Sequence, residues 1–598
     1  VRTSIATVSL SGTLTEKLTA AARAGFDGVE IFENDLLASP LTPEEIRARC
    51  ADLGLTIDLY QPMRDIEALP EERFADALRR ARHKFALMRR LGADTVLVCS
   101  SVDPDAIDDD ALAAGQLARL ASLAAEHGIR VAYEALAWGR HISTYDHAWR
   151  VVEAAGHPAL GTCLDSFHIL SRGSDPKGIE DIPGEKIFFL QLADAPRLAM
   201  DVLQWSRHYR CFPGQGGFDI AGLVRHVLRT GYAGPLSLEV FNDVFRQAEA
   251  APTAVDAQRS LRLLQEETGT AALPEPVVPT GVAFAELVTP DDRPVTALLG
   301  ALGFTRVARH RGKPVDLWQQ GEARVLVNTG PAERRDGTRL AAVGLTSPDP
   351  AGAARRAEAL LAPVLPRRRA PGDAELEAVA APDGTELFFC AAPGGDGPDW
   401  RADFAADTPA PEGPEACRID HLALTQPWHH FDEAVLFHRG VLGLSPQAGV
   451  DVADPYGLLR SRAVAGEDGG VRIVLSVGAA PTDDTVHAQH LALATDDVVA
   501  AARRFRAAGG RLLPIPANYY DDLAARFDLP DGELETYREL GILYDRDAHG
   551  AFRHCYTLTV GRVFVELLQR DGGYRGYGAP NAPVRLAAQH AARGLTGG

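Results

Sequence analysis

Four polar side chains stand at the ends of four apolar runs: Glu134 closes RVAYE, Asp165 closes GTCLD, Gln191 closes IFFLQ and Glu239 closes PLSLE. Each run is apolar enough to be a buried strand, and an ionised carboxylate there is costly unless a cation answers it. One divalent metal would answer all four. Three carboxylates and a carboxamide offer only oxygen donors, a set suited to Mg²⁺ or Mn²⁺, with Co²⁺ and Zn²⁺ also accepted. The alternative is that each acid caps the next helix or makes a surface ion pair, but four in succession at equivalent places favour a shared ion. His168, three residues beyond Asp165, is placed to act as an acid/base group or to hydrogen-bond a bound hydroxyl. Arg64 follows Pro62 in LYQPMRD, where the proline should break the strand, and WSRHYRCFPGQGGFD offers Ser206, His208 and Arg210. Guanidinium groups at the mouth of an acidic metal site read as clamps for a substrate carboxylate, because Arg binds one bidentately. Glu30 and Glu33, in VEIFEND, could line the same rim. Such a set suits chemistry in which a proton leaves carbon beside a ketone, with the ion as Lewis acid on the enolate oxygen.

The elements that must position these groups recur from the N-terminus as amphipathic helix, glycine and short apolar strand. The punctuating glycines are Gly25, Gly54, Gly92, Gly128, Gly156, Gly184 and Gly231. Glycine suits a helix end because it enters the left-handed conformation without steric cost. Seven such units and an opening strand around Ile5 to Val8 make eight strands, the number that closes a parallel α/β TIM barrel, expected over residues 1–270. In that fold chemistry sits where strands end and βα loops begin, which is where the four polar residues fall. The rival is a doubly wound open sheet, which would usually stop sooner, and no GxGxxG follows the first strand.

A polar helix around Val255 to Glu267 should cover the barrel bottom or lead away from it, and residues 268–280 read as an interdomain connection. A second Pro/Gly-rich stretch, residues 391–416, divides the remainder into modules at 281–390 and 417–578. Within it a repeat begins at VAFAELVT, AAVGLTSP, DHLALTQP and QHLALATD, giving four βαβββ-like units in two α+β modules. The second pair holds His421 and His490 at equivalent positions, where the first pair has Phe284 and Ala342. With Glu566, inward-facing on an alternating strand, they form the two-His, one-carboxylate set of non-haem Fe(II) sites, so only the second module is expected to bind metal.

The chain has 598 residues, 46% hydrophobic and 24% charged, an ordinary globular composition long enough for several cores. A net charge of -20 argues against nucleic acid or an anionic membrane as partner. Seven scattered cysteines without a CxxC argue against a disulfide framework and for a reducing compartment. No leader pattern opens the sequence and no stretch reaches bilayer-spanning length, so a cytoplasmic location is expected, with homo-oligomers permitted.

The barrel resembles the sugar-phosphate isomerase/epimerase superfamily, and QPMRD, YEAL, CLDSFHIL, FLQLAD, RCFPGQGGFD and SLEVFND resemble the bacterial 3-dehydroshikimate dehydratases. The resemblance implies Glu134, Asp165, Gln191 and Glu239 as ligands of Mg²⁺, Mn²⁺ or Co²⁺, and conversion of 3-dehydroshikimate to protocatechuate with loss of water. It also implies a catalytic set of His168, Arg210, Arg64 and Ser206. Many relatives place His at the third ligand, and some carry a Lys shortly after it. Here Gln191 is followed by Leu192, Ala193 and Asp194, which leaves His168 as the expected base. The second half is similar to the vicinal-oxygen-chelate fold and to 4-hydroxyphenylpyruvate dioxygenase through DHLAL, QHLAL and VELLQR. That implies an Fe or Mg ion on His421, His490 and Glu566. A substrate-holding glutamine of that family is expected to be replaced by His554, with activity altered or lost. The alternative is an oxygenase fused to a sugar epimerase- or isomerase-type barrel. An endonuclease IV-type barrel would need several zinc ions, many histidines and a basic face, which this sequence lacks.

Overall fold

The computed structural model describes residues 1–330, 337–366, 373–395, 397–407, 417–478 and 488–596, with side chains of the last helix described to residue 592. The chain divides into two compact units, Val1–Leu273 and Pro274–Gly598.

The first unit is a closed barrel of eight parallel strands in sequential order. They are β1 (Thr3–Ala6), β2 (Gly28–Phe32), β3 (Thr56–Met63), β4 (Thr95–Cys99), β5 (Arg130–Glu134), β6 (Leu160–Asp165), β7 (Ile187–Leu192) and β8 (Leu236–Leu238). Intervening helices bury one face against the strands, and the helix Ala250–Glu267 packs against the helix Leu14–Ala24, completing the outer ring. Six of the punctuating glycines take the left-handed conformation, such as Gly25 at φ 90°. Gly184 does not. It opens a short 3-10 turn, where an added Cβ would lie 2.3 Å from the carbonyl oxygen of Thr230, so close packing requires glycine there. Pro62 also departs from expectation: β3 runs through it to Met63, and the proline falls where the pairing with β4 shifts register. Proline lacks an N–H, so it is tolerated at such an irregularity.

Among its described residues the second unit contains two mixed sheets, one of eight strands between Gly281 and Ala406 and one of nine between Arg418 and Gly572. Each module begins with a strand, Gly281–Val288 or Arg418–Thr425, that pairs antiparallel with the opening strand of the following repeat, Arg339–Ser347 or Gln489–Ala494. The first module runs past the sequence boundary at 390. Trp400 is buried in its core and Phe404–Ala406 pairs with Thr305–His310 at the sheet edge. The Pro/Gly content of 391–416 hid this short strand; residues 396 and 408–416 of that stretch lie outside the described residues.

Strand register identifies the positions in the first module that correspond to His421, His490 and Glu566. They are Phe284, Ala342 and Phe388. Phe284 packs against Phe388 and Trp400 at centroid distances of 6.0 and 4.9 Å, so an apolar cluster fills the place of a metal site.

Candidate functional site

At the C-terminal mouth of the barrel, Glu134, Asp165 and Glu239 converge. Ligand atoms of Glu134, Asp165 and His168 lie within 4.8 Å of one another. Asp165 and Glu239 share Nη1 of Arg210, which donates to Asp165 Oδ2 at 2.8 Å and Glu239 Oε2 at 3.1 Å. The other Asp165 oxygen caps the helix Ser166–Ser171 by accepting from the amides of Phe167 and His168, so Oδ2 is left for the cavity. Burial would raise the Asp165 carboxyl, but Arg210 and His168 bring it below its ordinary value. Burial, followed by the Asp165 and Glu239 charges, pushes Glu134 well up, and burial opposed by Arg210 lifts Glu239 to about 7. Oε1 of Glu134 and Oε1 of Gln61 line this cavity, buried and without hydrogen-bond partners. Crowded, desolvated carboxylates with orphaned oxygens are a donor set that fits a hard divalent cation.

Gln191 stands in register with Asp165 on the neighbouring strand and is fully buried. Its Nε2 donates to Oε2 of Glu30 at 2.6 Å, and its oxygen accepts from the Cys163 thiol at 3.4 Å. Glu30 is not on the rim. It is fully buried beneath the site and also accepts from Gln61 Nε2 at 2.8 Å and from the Ser237 hydroxyl. One carboxyl thus turns both amides so that their nitrogens face inward. Sequence reasoning missed this because an acid ending an apolar strand looks the same whether it faces the mouth or the layer below. Glu33 lies elsewhere, bonded to the Tyr60 hydroxyl at 2.9 Å and to Lys84.

Arg210 differs from the expected clamp. It is 1% exposed, its donors are committed to Asp165, Glu239 and Ser206 Oγ with Nη2 also 3.3 Å from His168 Nε2, and it stacks on Phe167. Arg64 is exposed, lines the cavity, and has no carboxylate partner among the described residues. His208 turns away and pairs with Asp243 at 2.9 Å. Two donors face the His168 ring: the Ala137 amide donates to Nδ1 at 3.1 Å and Arg210 Nη2 lies 3.3 Å from Nε2, and since a neutral imidazole offers one acceptor nitrogen, its tautomer follows whichever of the two bonds is kept. Burial keeps the ring neutral, lowering it to about 3. A further residue missed in the sequence is Asp194. Its two oxygens accept from the amides of Ala195, Gly214, Gly216 and Phe218, at 2.8 to 3.1 Å, and so hold the loop that follows Arg210.

In the second module, His421 Nε2, His490 Nε2 and Glu566 Oε2 form a triangle with edges of 3.2, 3.1 and 3.2 Å. Cis donors each about 2.0–2.2 Å from one ion are separated by about 3 Å, so this triangle fits a single divalent metal. Nδ1 of His421 lies 2.9 Å from Asp420 Oδ1, and Asp420 is itself held by Arg472 and Arg570, which leaves Nε2 as the ligand atom. His554 stands behind the triad, its Nδ1 2.7 Å from Glu566 Oε1. Asn581 Nδ2 lies 3.0 Å from His554 Nε2; as the amide nitrogen can only donate, His554 carries its proton on Nδ1 and donates to Glu566. Burial alone would raise Glu566, but hydrogen bonds from His421, His490 and His554 hold it well below the carboxylate range.

Family descriptions match three parts of the chain: xylose isomerase-like TIM barrel at 18–266, hydroxyphenylpyruvate dioxygenase N-terminal at 274–343, and the glyoxalase/bleomycin resistance protein/dioxygenase superfamily at 418–535. The chain is 45% identical to a 3-dehydroshikimate dehydratase of Pseudomonas putida and 45% identical to one of Pseudomonas aeruginosa, each alignment covering 99% of this chain and 98% of the relative. It is also similar to a solved xylose isomerase-like TIM barrel/4-hydroxyphenylpyruvate dioxygenase fusion protein, with TM-score 0.90, 44% identity, and coverage of 99% of this chain and 100% of that one.

Proposed function

The chain belongs to the 3-dehydroshikimate dehydratases that carry a dioxygenase-like second half, and from this we propose how its barrel converts 3-dehydroshikimate to 3,4-dihydroxybenzoate (protocatechuate) with loss of water. The observation that carries the site assignment is the convergence of Glu134, Asp165 and Glu239 around one buried guanidinium at the ends of three strands. Glu134, Asp165, Gln191 and Glu239 would hold Mg²⁺, Mn²⁺ or Co²⁺, and the bound ion would supply Lewis-acid stabilisation of the enolate. Arg64, the guanidinium free of carboxylates, binds the substrate carboxylate. His168, a neutral ring lining the cavity, receives the α proton. Ser206 accepts from Arg210 and fixes it, and Arg210 in turn holds Asp165 and Glu239 in place. The β-hydroxyl leaves as water and loss of a second proton completes the ring.

The second module would hold Fe or Mg on His421, His490 and Glu566, with its dioxygenase activity altered or lost. His554, bonded to Glu566, supports that reading. No described helix is long and apolar enough to cross a membrane. Seven free, buried cysteines support a reducing, cytoplasmic location.

Dehydration creates an aromatic chromophore, so a near-ultraviolet absorbance rise without O₂ uptake tests the reading. Glu134→Ala or Glu239→Ala should abolish both the rise and metal occupancy of the barrel. No rise with Mg²⁺, Mn²⁺ and Co²⁺ supplied, or strict dependence on O₂, would overturn it.

A further inference from the structure

The triad of the second module opens into a cavity of about 690 Å³ whose polar groups are not accounted for by the dehydration. Glu566 is the one carboxylate on its described wall, and three histidines already engage it. Arg585, from the C-terminal helix Ala582–Thr596, faces the same space with no carboxylate partner among the described residues. Its Nη1 donates to Gln589 Oε1 at 2.6 Å, and its guanidinium carbon lies 5.6 and 5.7 Å from the ring centroids of Tyr556 and Phe564. Those rings are in turn 6.1 and 4.9 Å from the His490 ring, which places the free cation near the triad. Nε2 of Gln589, one turn along the helix, is a buried donor without a partner. The lining includes the apolar side chains of Val452, Leu459, Ala463 and Leu586. In a chain of net charge -20, this wall therefore offers a fixed guanidinium and an orphaned amide N–H to a ligand, and no unengaged acid.

We propose that this cavity binds an aromatic or ring carboxylate bearing two vicinal oxygens: the oxygens face His421, His490 and Glu566, the ring lies on these apolar side chains, and the carboxylate is taken by Arg585 with Gln589. An Arg–carboxylate contact is charge-assisted and directional, and one shielded from bulk water is among the stronger polar contacts a site can make. Resting on the dehydratase reading, the ligand of this class that the chain itself generates is the barrel's product, 3,4-dihydroxybenzoate. The substrate has the same carboxylate and vicinal oxygens but not the aromatic ring, and the two are distinguished by titrating each.

The experiment uses the full chain with Glu134→Ala to silence the barrel, Mn²⁺ supplied, and calorimetric titration of 3,4-dihydroxybenzoate, 3-dehydroshikimate and catechol. 3,4-Dihydroxybenzoate should bind one per chain and more tightly than 3-dehydroshikimate. Arg585→Gln should weaken it by about 10- to 100-fold, the range of a lost hydrogen bond to a charged group. Catechol, lacking the carboxylate, should bind the parent about as weakly as 3,4-dihydroxybenzoate binds the Arg585→Gln chain, and should be indifferent to that substitution. His490→Ala should abolish binding of both. If Arg585→Gln fails to fold, the catechol comparison on the parent reads the same contact from the ligand side. Absence of binding to the Glu134→Ala chain, equal affinity for catechol and 3,4-dihydroxybenzoate, or tighter binding of 3-dehydroshikimate would overturn the proposal. Loss of dehydration would show instead in the absorbance assay of the unsubstituted chain, so the two failures are distinct.

Discussion

Replacing Glu30 with methionine tests whether a residue buried below the barrel site governs its metal affinity. Methionine approximates the length of glutamate and removes both acceptor oxygens. Gln61 Nε2 and Gln191 Nε2, 2.8 and 2.6 Å from Glu30 Oε2, then lose their acceptor in a place that water does not reach. A buried donor left unsatisfied costs about 1–3 kcal/mol, so the preference of Gln191 for turning its nitrogen inward falls by about 5- to 150-fold. The ion would then meet an amide with no fixed orientation, and Mn²⁺ affinity at the barrel should fall by about 10- to 100-fold, as is typical when a group supporting a metal ligand is removed. The titration is best followed by the electron paramagnetic resonance of free Mn²⁺ in a His490→Ala background, so that only the barrel site is counted. Glu30→Gln, which keeps one acceptor oxygen, should fall between the two. Unchanged Mn²⁺ affinity in a folded Glu30→Met chain would refute the reasoning.

Arg64→Gln should raise KM by about 10- to 100-fold with a smaller change in kcat, because it removes a charge-assisted contact to a part of the substrate that does not react; a fall in kcat alone would contradict the clamp. Asp194→Ala removes the acceptor of four backbone amides and should lower the melting temperature of the barrel by several degrees while reducing kcat through the Arg210 loop, measured by circular dichroism and the absorbance assay. Exhaustive chelation should abolish dehydration, and Mn²⁺, Mg²⁺ or Co²⁺ should restore it; turnover that survives chelation would exclude a metal-assisted enolate.

The sequence by itself determined the barrel, because the alternation of amphipathic helix, glycine and apolar strand is local and repeats often enough to count eight strands. It also marked which strand ends carry oxygen donors, and it located the two-fold repeat whose second copy keeps His421 and His490 while the first has Phe284 and Ala342. Only the tertiary structure decided what each polar group faces. Arg64 and Arg210 are alike in sequence, yet one is exposed and free while the other is enclosed by Asp165, Glu239 and Ser206. Glu30 and Glu33 are three residues apart, and one supports Gln191 while the other pairs with Tyr60 and Lys84. His168 sits between the amide of Ala137, 31 positions away along the chain, and the guanidinium of Arg210, 42 away. The physical reason is common to all three. Periodicity encodes which face of an element is buried, whereas the partner of a buried polar group is set by contacts across the barrel, between residues whose separation along the chain carries no pattern.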